Sequence, residues 1–209
     1  MSITKYTLLL LVSLFSVSAF LTGNKKPNIV VFISDDLGRW DTSIHGSKDA
    51  RTPTMERLAA EGMTFDDAYV ASPSCCPSRF SLLTGLMPAR HGAHPNHSKV
   101  KTGTKFLPPI LKKMGYHIAS FGKIAHGNKK FEGLDFNEPK RTDMCVEVEK
   151  YFKNNKIEGP ICLLVGDRRP HVEWTKRMNF DPKKVTLPSF FIDTKAVSYT
   201  HLTLPTTYE

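Results

Sequence analysis

A cysteine, an arginine and a predicted helix start share the segment 75–85, which reads CCPSRFSLLTG. We predict a helix that begins near Pro77 and ends at Gly85. Arg79 then lies one helical turn from Cys75 and can offset negative charge beside it, while the free amide groups of the first turn favour an anion. The segment therefore indicates a thiol at an anion-binding helix start. Taken alone, a Cys-Cys pair also fits buried or disulfide-bonded cysteines.

Two adjacent carboxylates, Asp35 and Asp36, follow the apolar, β-branched run at 28–34, NIVVFIS. This run predicts a buried parallel strand, and open α/β sheets place their sites at the carboxyl ends of such strands. Neighbouring carboxylates are costly unless a cation neutralises them, and their hard oxygens suit Ca²⁺ or Mg²⁺ rather than zinc. Considered alone, the pair also fits a turn with two solvated acids.

A lysine and a histidine, Lys123 and His126, lie in the glycine-bounded loop GKIAHG at 122–127. The loop directly follows the predicted strand at 116–121. Both side chains carry functional groups that bind anions or exchange protons. A plain surface loop is the alternative interpretation.

The segment 167–171, DRRPH, follows another apolar run and ends in His171. The arginines at 168 and 169 suit an acidic sugar, and pairing with Asp167 is an equal alternative. A third polar segment, RHGAHPNH at 90–97, holds three histidines. We interpret it as a solvated loop rather than a metal site, because no cysteine or acid completes a ligand set.

The elements around these segments alternate between strand and helix. Such alternation predicts an α/β sandwich with a mostly parallel central sheet. The predicted strands cover 28–34, 64–70, 116–121 and 161–165, and the predicted helices cover 53–62, 77–85, 105–114 and 143–154.

The chain has 209 residues, 40% of them hydrophobic, and a formal net charge of +9. A basic surface attracts polyanions, of which nucleic acid and sulfated sugar are two candidates. The basic residues are scattered without interleaved aromatics, and no zinc-finger or helix-turn-helix signature is present, so we do not expect nucleic-acid binding. The four cysteines, Cys75, Cys76, Cys145 and Cys162, have no zinc spacing.

The two ends of the sequence differ in composition from the middle. Lys5, the apolar run at 7–17 and the small residues before position 20 predict a signal peptide at 1–19, since the run is short for a membrane span. A short linker at 20–27 follows it. We expect export to a secreted, periplasmic, lysosomal or extracellular location. The last stretch, 196–209, has no clear period, and we expect it not to be natural protein.

The segment 75–85 resembles the signature C-x-P-S-R-x-x-x-L-T-G of the type I, formylglycine-dependent sulfatases of the alkaline-phosphatase superfamily. The segments 122–127 and 167–171 resemble further sulfatase motifs. The Lys–His spacing and the stretch 185–194, VTLPSFFIDT, are similar to iduronate-2-sulfatase and heparan N-sulfatase-like members. The resemblance covers about 26–195 and implies the alkaline-phosphatase-like fold, with 28–195 as the N-terminal part of a catalytic domain.

This resemblance also implies the chemistry. A maturation enzyme would oxidise Cys75 to formylglycine, whose hydrate attacks the sulfur of a sulfate ester or sulfamate on a sulfated glycosaminoglycan or polysaccharide. The remaining roles are implied residue by residue. Asp35, Asp36 and residue 75 would hold Ca²⁺ (or Mg²⁺), Arg79 would hold the hydrate, Lys123 and His171 would bind sulfate, and His126 would bind or deprotonate the hydrate.

Two departures from the family pattern affect these expectations. The first histidine of the family's H-x-P-H segment is replaced, and no later D-N-G or D-H-G motif follows. We therefore expect this chain alone to be inactive. Two alternatives remain: a phosphodiesterase or phosphonate hydrolase of the same superfamily, and a secreted fragment that binds polyanions without cleaving them.

Overall fold

The structure is a computed structural model that describes residues 25–126, 131–139, 143–171, 184, 186, 187, 189, 191, 192 and 194. The predicted signal peptide at 1–19, most of the linker at 20–27 and the C-terminal stretch at 196–209 lie outside the described residues. Residues 185, 188, 190 and 193 of the stretch at 185–194 also lie outside them.

A four-stranded sheet forms the centre of the described fold. Its strands are β1 (Ile29–Asp35), β2 (His117–Gly122), β3 (Phe136–Glu138) and β4 (Ile161–Pro170). They lie in the order β1-β4-β2-β3, and every pair is parallel. The predicted parallel α/β sheet is therefore confirmed, with β4 paired on both sides.

The described residues contain five α-helices, which lie between the strands in sequence. The helix predicted to begin near Pro77 begins at Cys75, two residues earlier. Within the described residues, none of the helices combines the length and the apolar character needed to cross a bilayer. The helices are α1 (Pro53–Glu61), α2 (Cys75–Thr84), α3 (Pro88–His91), α4 (Leu107–Lys113) and α5 (Met144–Asn154).

The two faces of the sheet are covered unequally. On one face, strand residues such as Ile118 and Leu164 pack against Phe80 of α2 in a continuous core. On the other face, α5 covers β2 and β4, whereas Val30 and Phe32 of β1 remain 64% and 53% exposed. The residues of β1 therefore alternate between a packed face and an open face.

The strand predicted at 64–70 is wrong. This segment forms no strand, and its apolar side chains Phe65, Tyr69 and Val70 are 72%, 89% and 68% exposed. An apolar, β-branched pattern becomes a strand only when another strand hydrogen-bonds to it. None of the four described strands pairs with this segment.

Candidate active site

A buried carboxylate lies at the carboxyl end of β1. Asp35 is 1% exposed and accepts from Arg79 Nη2 at 2.9 Å and from Lys123 Nζ at 2.5 Å. These cations come from α2 and from the loop after β2, so three elements converge on one carboxyl group. We call Asp35, Arg79 and Lys123 the ion triad.

The ion triad fixes the charge state of its carboxylate. Burial alone would raise the pKa of Asp35, but the Lys123 hydrogen bond and the charges of Arg79 and Lys123 outweigh burial and lower it. Arg79 also donates to the backbone carbonyl of Lys123. Because this triad carries one negative and two positive charges, it retains a net positive charge to offer an anion.

A close approach of two glycines places Lys123. Gly122 ends β2 with φ 65°, and a Cβ there would lie 2.3 Å from the carbonyl oxygen of Gly166 in β4. A Cβ on Gly166 would lie 2.0 Å from the carbonyl oxygen of Lys123. The chain turns here, and Lys123 N donates to Gly166 O at 2.8 Å. Only glycine fits both positions, so the backbone sets the direction of Lys123.

The first turn of α2 lies beside the ion triad. Cys75 is the first helical residue, and Ser74 before it makes no side-chain capping bond. One of the amides that a helix start leaves without a helical acceptor, Cys76 N, donates to Asn96 Oδ1 at 3.3 Å. Arg79 follows one turn later and is 5% exposed. The predicted neighbourhood of Cys75 and Arg79 is thus present.

The thiol of Cys75 faces a polar loop. Its Sγ lies 3.4 Å from His126 Nδ1 and 3.3 Å from Asn96 Oδ1. The other ring nitrogen of His126, Nε2, lies 2.5 Å from His97 Nδ1. We call Cys75, Asn96, His97 and His126 the nucleophile cluster. Burial, followed by the nearby charges of His97 and Lys123, lowers the pKa of His126, which favours its neutral form.

The second carboxylate of the predicted metal pair lies apart from the first. Asp36 has a positive φ of 64°, its side chain is 58% exposed, and its Oδ2 lies 3.7 Å from His171 Nε2. His171 therefore lies beside Asp36, and its predicted contact with sulfate stays a prediction. Arg169 pairs with Asp167, with Nη2 2.7 Å from Oδ2, as one of the two alternatives for that arginine predicts.

The residues predicted to bind a metal fit a hard cation in type but supply few ligands. The described residues contain no group of three or more histidine, cysteine, aspartate or glutamate side chains placed to hold a metal ion. Both oxygens of Asp35 instead contact cationic side chains. Ca²⁺ takes about 6–8 oxygen ligands, so Asp35, Asp36 and residue 75 would form only part of a site.

The interpretation of the three-histidine segment as a solvated loop is wrong for His91. His91 is fully buried, where its Nε2 lies 3.1 Å from Ser81 Oγ and its Nδ1 accepts from Ala93 N at 3.1 Å. His97 is exposed but contacts His126. The sequence did not identify Asn96 and His97 as site residues, because no local feature sets them apart from the other polar residues of this loop, such as His94.

The comparisons with known proteins agree with one another. A family model described as Sulfatase matches residues 27–182. The chain is 29% identical over 194 residues to the Ulvan-active sulfatase of Formosa agariphila, covering 84% of this chain and 38% of that protein. It is 39% identical over 119 residues to the N-acetylgalactosamine-6-O-sulfatase of Bacteroides thetaiotaomicron, covering 54% of this chain and 23% of that protein.

Solved structures give the same result. The structure of BT4656 in complex with its substrate D-glucosamine-2-N,6-O-disulfate matches with 26% identity and a TM-score of 0.65, covering 72% of this chain and 36% of that one. The predicted alkaline-phosphatase-like α/β fold is confirmed. The chain spans 38%, 23% and 36% of the lengths of these three proteins. The resemblance to iduronate- and heparan-type members stays a prediction.

Proposed function

The chain belongs to the sulfatase family, and from this premise we propose that the complete protein hydrolyses sulfate esters or sulfamates of sulfated carbohydrates at Cys75. One observation carries the proposal. The thiol of Cys75 contacts His126 Nδ1 at 3.4 Å, and the ion triad lies one helical turn away. A nucleophile, a proton-binding ring and two cations therefore surround one small volume.

The cations and the helix start support binding of an anionic group. Arg79 and Lys123 share a single carboxylate, so their combined charge is only partly neutralised. The amide groups of the first turn of α2 add partial positive charge beside Cys75. A sulfate held here is positioned for attack from residue 75, and the cations stabilise charge that grows on its oxygens in the transition state. His171, beside Asp36, is our candidate for a further sulfate contact.

Conversion of Cys75 to formylglycine would supply a hydrated aldehyde, which gives residue 75 one hydroxyl to attack sulfur and a second to lose its proton when the aldehyde re-forms. This residue's neighbours suit that chemistry. His126 Nδ1 faces residue 75 and, as a neutral ring, can accept a proton there. Asn96 Oδ1 accepts from Cys75 Sγ and would hold a hydroxyl in its place. A formylglycine-generating maturation enzyme is therefore a required partner.

A divalent cation is the second proposed requirement. Asp35, Asp36 and residue 75 would hold Ca²⁺ (or Mg²⁺), with further ligands from elsewhere in the protein. Such an ion would polarise sulfate oxygens and favour deprotonation of the attacking group. The hard carboxylate oxygens of Asp35 and Asp36, adjacent at the end of β1, support this role.

The substrate class rests on relatives and charge. The relatives include an ulvan-active sulfatase and an N-acetylgalactosamine-6-O-sulfatase, and the matching solved structure holds a sulfated glucosamine. The net charge of +9 favours approach of a polyanionic substrate. We propose that the substrate is a sulfated glycosaminoglycan or another sulfated polysaccharide, which the exported protein binds outside the cytoplasm.

The test uses the complete protein, co-expressed with a formylglycine-generating enzyme, with conversion of residue 75 verified by mass spectrometry. We expect release of sulfate from an aryl sulfate faster than phosphate from the matching aryl phosphate. Cys75→Ala should reduce the rate by at least about a thousandfold, whereas Cys145→Ala, at an exposed cysteine outside the site, should not. A chelator should abolish the activity and Ca²⁺ restore it. Faster phosphate release, or no sulfate release by converted protein, contradicts the proposal.

A further inference from the structure

The loop that follows α3 contacts the nucleophile cluster at two points. Asn96 Oδ1 accepts from Cys75 Sγ and Cys76 N, both at 3.3 Å, and from His97 N at 3.2 Å. His97 lies next in sequence and contacts the far side of the His126 ring. The loop thus approaches residue 75 both directly and through His126.

The contact between the two imidazoles is close and directional. His126 Nε2 lies 2.5 Å from His97 Nδ1, and the ring centroids are 4.3 Å apart at an interplanar angle of 76°. In such a contact one nitrogen donates a hydrogen and the other accepts it. When Nε2 of His126 donates, its Nδ1 carries the lone pair, and Nδ1 is the atom 3.4 Å from Cys75 Sγ.

The backbone at His97 supports a specific role for this contact. His97 has φ 63°, a left-handed conformation that is uncommon for residues other than glycine. Such conformations cost about 1–3 kcal/mol and persist where the surroundings hold them. Here the strained residue is the one that turns its ring toward His126. The exposed His94 of the same loop makes no such contact in the described structure.

We propose that His97 is a positioning residue that sets the tautomer and the orientation of His126, so that the Nδ1 lone pair of His126 faces residue 75. His97 acts through His126 and does not touch substrate. When residue 75 loses its proton, the proton moves to His126 Nδ1. The hydrogen on His126 Nε2 stays on that nitrogen and keeps its hydrogen bond to His97 Nδ1. This inference rests on the proposed function for its catalytic consequence and on geometry alone for the contact itself.

The first experiment compares His97→Ala, His97→Asn and the matched control His94→Ala in the complete, converted protein. We expect His97→Ala to lower kcat on an aryl sulfate by about ten- to a hundredfold, at or below the lower end of the range for acid–base assistance because His97 acts through His126, with KM within about twofold. His97→Asn should recover most of the loss, because its amide oxygen takes the place of Nδ1. His94→Ala should match wild type.

The second experiment measures the same contact without sulfatase turnover. In complete protein produced without the maturation enzyme, residue 75 remains a thiol, and its alkylation rate by iodoacetamide is followed by mass spectrometry. A lone pair on His126 Nδ1 can accept the thiol proton as Cys75 attacks iodoacetamide, so we expect His97→Ala to slow alkylation of Cys75 about threefold or more, and His94→Ala not to.

The two experiments separate the two proposals. If converted wild-type protein releases no sulfate but His97→Ala still slows alkylation, the proposed function is wrong and the positioning role of His97 stands. Equal kcat and equal alkylation rates in His97→Ala and His94→Ala overturn the positioning role whatever the wild type hydrolyses. A matching loss in His97→Ala and His97→Asn also overturns it, since the acceptor atom would then be irrelevant.

Discussion

The ion triad and the nucleophile cluster are neighbours, yet they differ in how they are held. The carboxylate and guanidinium of the ion triad are 1% and 5% exposed, and its contacts join the ends of two strands to a helix. The nucleophile cluster joins the start of α2 to two loops, its contacts to Cys75 Sγ are 3.3 and 3.4 Å, and its His97 is exposed. One group is part of the core, and the other lies at its surface.

This difference separates two tasks within one site. Charges in a buried setting interact strongly and are costly to leave without partners, so the ion triad should contribute to stability as well as anion binding. Side chains on an exposed loop contribute little to stability, and they can be selected for chemistry alone. Substitutions in the ion triad should therefore lower the free energy of unfolding more than substitutions in the nucleophile cluster, even though both groups lie within one small region.

Removing the buried carboxylate should have the largest effect. Asp35→Ala leaves Arg79 and Lys123 without their shared counter-charge, and we expect a loss of about 3–5 kcal/mol in the free energy of unfolding. Chemical denaturation of the complete protein measures it. Asp66→Ala, at an exposed carboxylate paired with Arg39, is the control and should cost less than about 1 kcal/mol. Equal losses in the two variants would remove the distinction between the regions.

The glycine contact behind Lys123 should come next. Gly122→Ala forces a Cβ to within 2.3 Å of the Gly166 carbonyl oxygen, and we expect a loss of the order of 3 kcal/mol together with displaced Lys123. Gly159→Ala carries the same backbone penalty at φ 90° but has nothing within 4 Å of its Cβ. The difference between the two variants in thermal unfolding therefore isolates the close approach. Similar melting temperatures would show that the strand ends can separate freely.

A buried histidine on the helix side should give a smaller, pH-dependent effect. His91→Phe leaves Ser81 Oγ and Ala93 N without their ring partner, at a cost of about 1–3 kcal/mol. Burial lowers the pKa of His91 below 6.5, so below that pH the unfolded chain binds the proton more strongly.

The sign of that pH dependence follows directly. The stability that neutral His91 contributes is complete above about pH 6.5 and is lost as pH falls toward its folded pKa. The difference in unfolding free energy between wild type and His91→Phe should therefore shrink below pH 6.5. His94→Phe, on the exposed part of the loop, serves as the control and should show no such trend. A difference that grows in acid would mean that folded His91 is charged.

The smallest effect on stability should come from the reacting residue itself. Cys75→Ala should change the free energy of unfolding by no more than about 0.5 kcal/mol, although it removes the proposed nucleophile. Denaturation and sulfate release, measured on the same preparation, give the two values. A loss comparable with that of Asp35→Ala would place Cys75 in the core rather than at the surface of the site.

The sequence predicted those parts of the fold and site that local patterns determine. Apolar runs located β1, β2 and β4, and strand ends located Asp35 and Lys123. The spacing within α2 placed Arg79 beside Cys75. The predicted strand at 64–70 was wrong, because a strand forms only beside a partner strand and the local sequence pattern does not show whether a partner is present.

The histidine segment shows the same limit inside the site. His91, His94 and His97 share one polar, glycine-containing stretch, yet one is buried, one is exposed without a described hydrogen bond, and one contacts His126. Which ring turns inward depends on Ser81 and His126, residues distant in sequence. Similarly, the sequence left the pairing of Arg169 with Asp167 open, and the structure shows that pairing.

The order of strands in the sheet has a consequence for the way the chain folds. Ile29 of β1 aligns with Cys162 of β4, and His117 of β2 aligns with Ile161, so the last of the four described strands lies between two strands made earlier. Such distant pairing slows folding because a long loop must close first. On the ribosome, β1 and β2 must therefore remain without their common neighbour until the residues of β4 have left the exit tunnel.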